Sequence, residues 1–201
     1  MRRLVKRLVG EMRTEQEMRR LIERLVGGLQ DGRHGLPIPT DPDSLCAALI
    51  AIVRDIRGRE VVLLKEEFPR QTASGLWLDL ASHDVVIVDE RAAPVHQLAI
   101  LCHEIWHMFH GDCGHHVAGA AVAARMLNRR ADRRHLRSAV LRGAARSEFD
   151  ERAEQDAETF ALRAVTHVRV WLEGDPARIP SDRTQVAGRI GASLGHRRSQ
   201  V

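Results

Sequence analysis

With 201 residues, 44% of them hydrophobic and 29% charged, the chain is long enough for a core of its own and has an ordinary globular composition. No apolar run approaches a membrane span and the N-terminus lacks a signal-peptide core, so the expectation is a cytoplasmic protein with no membrane span. A net charge of +4 does not by itself imply nucleic-acid binding, and three unpatterned cysteines (Cys46, Cys102, Cys113) point to reduced thiols rather than a disulfide framework.

Residues 1–30 carry apolar positions at spacings of three and four, from Leu4, Val5 and Leu8 through Met18, Leu21 and Ile22 to Leu25 and Val26, with basic residues between them. This is an amphipathic helix, and packing on its own domain with a solvated charged face is preferred to a membrane or partner role. Gly27, Gly28, Gly32, Pro37 and Pro39 break the pattern and separate this segment from a domain spanning 31–174. A second helix begins after Asp41, an N-cap candidate, turns Leu45, Leu49, Ile52, Val53 and Ile56 inward, and ends at Gly58.

Three strand-like runs follow, at 60–64, 74–80 and 84–89, the last a compact β-branched segment. The short connections between them favour a small, mainly antiparallel sheet. Pro94 then opens a helix at a position that tolerates proline. Helices around a three-stranded sheet make the fold α+β.

The Pro94 helix contains His103-Glu104-Ile105-Trp106-His107, an HExxH pattern. Residues four apart share a helix face, so His103 and His107 can converge on one cation, with Glu104 beside them as a general base for a bound water. The competing reading is a pair of hydrogen-bonded packing histidines. Against it, leaving two imidazoles and a carboxylate uncompensated in so apolar a segment is costly, and one metal ion accounts for all three. Catalytic zinc takes a third protein ligand, and several candidates exist. Cys113, His115 and His116 follow closely, and an acidic helix supplies Glu151, Glu154, Asp156 and Glu158. His110 is too far along the axis to join His103 and His107 on one ion.

From Arg125 to Arg146 there are eight arginines against one acid, Asp132. Such a run can bind a phosphate backbone. No aromatic or recognition pattern accompanies it, so a solvated helix face is preferred. The acidic helix leads into Phe160 and Val165 and ends near Gly174, and residues 175–201 form a last helix, capped by Ser181, with a basic tail.

His103-Glu104-x-x-His107 followed by Gly111-Asp112, and then Glu154-x-x-Ala157-x-x-Phe160-Ala161, resembles the ImmA/IrrE family of intracellular zinc metallopeptidases over roughly residues 40–172. The chain departs from that family's pattern at Glu158, over 163–165 and in a long insertion between the motifs. The resemblance implies a zincin-like arrangement in which the HExxH helix faces the acidic helix. It makes His103, His107 and Glu154 the Zn2+ ligands and Glu104 the general base. Glu158, one turn after Glu154, would then support a ligating imidazole. The implied activity is cleavage of a regulatory protein partner, such as a helix-turn-helix repressor. The alternative is a non-catalytic regulatory or toxin–antitoxin component that works by binding protein or DNA. With no tyrosine in the chain, His110, His115 and His116 are the candidates to stabilise a developing oxyanion.

Overall fold

In the computed structural model, which describes residues 2–31, 36–68, 73–110 and 151–174, the N-terminal stripe folds as one helix, α1 (Arg2–Gln30). The last helix after Ser181, the arginine-rich stretch, Cys113, His115 and His116 lie outside the described residues. Among the described side chains of α1, the later positions of the stripe are covered. Met18, Leu21, Ile22, Leu25 and Leu29 are buried, whereas Val9 and Met12 are 59% and 71% exposed. The glycine pair does not end α1. A Cβ on Gly28 would lie 2.8 Å from Ile52, so glycine there lets α1 press against the next helix.

That helix, α2 (Pro42–Arg57), has the expected ends. Asp41 accepts the Ser44 backbone N–H at 2.8 Å, and Gly58 closes the helix with φ of 62°, a left-handed conformation that favours glycine.

The sheet is mixed rather than mainly antiparallel. Strands β1 (Val61–Glu66), β2 (Gly75–Asp79) and β3 (Asp84–Asp89) lie in the order β1-β3-β2, with β1 parallel to β3 and β2 antiparallel to it. Short loops exclude a parallel crossover only between strands that follow one another in sequence. Here the whole of β2 serves as the crossover from β1 to β3, and the parallel pair forms around it. β3 is therefore central and buried on both faces. Val86 and Val88 face the main core, while Val85 and Ile87 join Phe68, Leu76 and Leu78 in a second cluster on the other side. That is why its sequence is continuously apolar instead of alternating.

Asp84, fully buried at the start of β3, ties three elements together. It accepts Arg57 Nη2 at 2.9 Å and the Trp77 indole N–H at 3.1 Å, and Arg57 Nη1 donates to the Met108 carbonyl at 2.8 Å. Asp84→Ala would leave the half-buried Arg57 charge and the Trp77 indole without their acceptor. We expect a loss of about 3–5 kcal/mol in folding stability, read by urea denaturation.

The remaining helices are α3 (Pro94–His110), α4 (Glu151–Val168) and a single turn, α5 (Val170–Glu173), which breaks the acidic helix at Arg169 before Gly174. α4 buries Ala157, Phe160, Ala161, Ala164 and Val168 against α3, and Phe160 stacks on Trp106 with ring centroids 5.0 Å apart. α1 crosses the outside of this pair. Arg163 of α4 donates to Glu15 at 2.6 Å, and Arg152 reaches Glu11 at 3.6 Å. None of the described helices is long and apolar enough to cross a membrane. Among the described residues, Cys46 and Cys102 are buried free thiols, and burial pushes the Cys46 thiol up to about 11.

Candidate metal centre

Helix α3 is apolar around most of its circumference, with Leu98, Leu101, Ile105, Trp106 and Met108 all buried. The polar groups it carries into that environment must be compensated there. His103 and His107 are one turn apart, and their Nε2 atoms approach to 3.0 Å. Glu154 reaches both from α4, with Oε2 3.4 Å from His103 Nε2 and Oε1 3.5 Å from His107 Nε2. One donor atom from each of the three residues lies within 4.8 Å of the others, a group that can hold a metal ion. His107 is 1% exposed, and among the described residues the centre is reached from its His103 and Glu154 side.

Glu104 lies between α3 and the β2 edge. It accepts the Trp77 backbone N–H, while Oε2 is buried without a hydrogen-bond partner among the described residues. The fit is close. A Cβ on Gly75 would stand 2.6 Å from Glu104 Oε1 and 2.4 Å from Ile100 Cγ2, so glycine is what admits the strand here. A cleft of about 490 Å³ opens in front of these groups. Gly75 at the start of β2 and the preceding Ala73 and Ser74 line one side, His96, Ala99, Ile100, His103 and Glu104 line it from α3, and Glu154, Glu158, Ala161 and Leu162 from α4.

Burial holds the Glu104 carboxyl up at about 7, and the Glu154 charge adds to this against the lowering effects of His103 and the Trp77 N–H. Burial works against the His103 cation, but the Glu154 hydrogen bond and the charges of Glu104, Glu154 and Glu158 outweigh it and raise its pKa. In metal-free protein both groups therefore hold protons in the folded state that the unfolded chain releases at lower pH. Between the ordinary carboxyl value of 4.5 and about 7 the folded state binds more protons, so its stability falls as pH rises. Thermal melts of chelator-treated protein should show Tm dropping across that window. A flat or rising profile would contradict the environment described for Glu104.

The structure thus brings His103, Glu104, His107 and Glu154 into one site. Glu158 is at the exposed cleft rim and acts on His103 through its charge, without a hydrogen bond to either imidazole. His110 does not enter the cleft. It donates from Nδ1 to the Trp106 carbonyl at 3.1 Å, stacks on the Trp106 ring and faces Glu17 of α1 at 3.3 Å. His96 does enter the cleft and was not singled out from sequence. It precedes His103 by seven residues, close to two full turns, and that spacing on a metal helix is the signal that could have found it. No protein-family model matches the chain, and no curated protein or solved structure was found similar to it.

Proposed function

We propose that this protein is a zinc-dependent peptidase acting on a regulatory protein partner, in line with its resemblance to the ImmA/IrrE family. The observation that carries the reading is the Glu104 carboxylate, whose Oε2 is buried without a hydrogen-bond partner among the described residues, in a cleft beside three donors that can hold a metal ion. A site that only stabilised the fold would close its fourth position and would have no use for that carboxylate.

The donor set suits zinc. Tetrahedral zinc with bonds of about 2.0–2.1 Å sets its ligand atoms about 3.3–3.4 Å apart. The two imidazole Nε2 atoms stand 3.0 Å apart, with one Glu154 oxygen 3.4 Å from His103 and the other 3.5 Å from His107, and one donor atom from each residue lies within 4.8 Å of the others. Held by these three residues, zinc would supply Lewis-acid polarisation of a carbonyl and acidification of water.

The chain's own residues supply the rest. The Glu104 carboxylate takes a proton from water at Oε2 and returns it to the leaving amine, while Oε1 stays anchored to the Trp77 N–H. Gly75 lets β2 come close enough to provide that anchor. The buried walls of α3 and α4 limit competing water. The test is incubation of the zinc-loaded protein with the proteins encoded by its neighbouring genes, any helix-turn-helix repressor among them first, with Glu104→Gln as the parallel sample and mass spectrometry as the readout. Cleavage by the wild type alone supports the reading. Regulation of the partner by both forms, with no cleavage by either, would replace it with a binding module.

A further inference from the structure

The cleft extends well beyond the metal-binding donors. From His103 it continues along α3 past Ile100 and Ala99 to His96, and along α4 from Glu154 to Glu158, Ala161 and Leu162. Seven helical residues correspond to about 10 Å, the span of roughly three residues of extended peptide. The lining changes character along that length. Near the centre it is carboxylate and imidazole. Away from it the walls are Ala99, Ile100, Ala161 and Leu162, three of them small or covered and one bare.

Leu162 is the bare one. It is 69% exposed, although the neighbouring Ala161 is 5% exposed in the core. A large apolar side chain at the lip of a cleft gains nothing from the fold as it stands, and it gains when an apolar group covers it. Ala99 and Ala161 leave the volume for that group, and Ile100 forms the floor at 6% exposure. The mouth is polar, with His96 on one helix and Glu158 on the other, both exposed. Small apolar walls, an uncovered leucine and a polar rim beside a buried carboxylate, one oxygen of which has no hydrogen-bond partner among the described residues, are the features of a site that selects by side chain.

We infer that Ala99, Ile100, Ala161 and Leu162 form the pocket that selects the substrate, taking a large aliphatic or aromatic apolar side chain next to the bond placed before Glu104. The inference rests on the peptidase reading, and binding separates the two. Zinc-loaded Glu104→Gln would be titrated into fluorophore-labelled octapeptides, identical except that one position at a time carries Leu, Phe, Gly, Asp or Lys. Fluorescence anisotropy reports affinity.

At one position, Leu or Phe should bind about tenfold or more tightly than Gly or Asp. In the Glu104→Gln background, Leu162→Glu, an exposed change that the core does not feel, should cut that preference about tenfold and favour Lys instead. Equal affinities at every position, or a preference that Leu162→Glu leaves intact, would overturn the pocket. Wild-type protein is then given the tightest-binding peptide. Cleavage beside the selected residue supports both readings. Selective binding that Leu162→Glu reverses, with no cleavage by wild type, sustains the pocket and removes the peptidase reading.

Discussion

Glu104→Gln should lower the rate of substrate cleavage by about 10²- to 10⁴-fold, the range typical for loss of a positioned general base, while zinc content and fold stay as in the wild type. The reasons are local. The amide oxygen of glutamine can accept the Trp77 N–H as Glu104 does, so the side chain keeps its place under Gly75. The amide cannot take a proton, and that is the one property removed. A second signature follows from the buried carboxyl, which stays protonated in metal-free protein up to about pH 7. Glutamine is neutral throughout, so the fall in metal-free stability across that window should shrink in the variant, while the His103 contribution, which sets in above the ordinary imidazole value of 6.5, lies at higher pH. Cleavage rates beside zinc content and pH-dependent melts make the test complete. A variant that cleaved within a few-fold of the wild type would remove Glu104 from the chemistry.

Local signals carried far in this sequence, and long-range ones did not. The caps of α2 at Asp41 and Gly58 and the start of α3 at Pro94 depend on a few neighbouring residues, and all lie where the sequence places them. The face shared by His103 and His107 is fixed by helix geometry once α3 exists. Burial of Phe160 turns Glu154 towards the interior in the same way, but which partner α4 meets is a tertiary fact.

The parallel pairing of β1 with β3 was hidden because connection lengths report only on consecutive strands. Asp84 read as a strand end. Its role comes from Arg57, Trp77 and Met108, none close to it in sequence except Trp77. His96 and His110 show the limit most plainly. Each is seven residues from His103, so helical spacing treats them alike. What packs at the two ends of α3 separates them. At one end β2 and α4 leave a cleft around His96, while at the other Glu17 of α1 and the Trp106 ring take up His110.

The identity of the third ligand has the next largest consequence. Glu154→Ala should weaken zinc binding beyond the roughly 10- to 100-fold expected from losing a supporting hydrogen bond, because it removes a donor itself. Both Glu154 oxygens are committed, one towards each imidazole, at 3.4 and 3.5 Å. Glu158→Ala should cost less, since Glu158 reaches His103 only through its charge and from an exposed position. Asp156→Ala should cost almost nothing, because Asp156 lies two residues past Glu154, near the opposite helix face, and is absent from the cleft lining. Cys113→Ser is the remaining rival, from outside the described residues. Zinc affinity measured by competition with a chromophoric chelator, at fixed pH because the imidazoles must be neutral to bind, ranks the four variants. The expected order is Glu154→Ala, Glu158→Ala, then Asp156→Ala and Cys113→Ser together near wild type. If Cys113→Ser instead matched the loss seen for His103→Ala, the third ligand would be the thiolate, and Glu154 would be left as its neighbour.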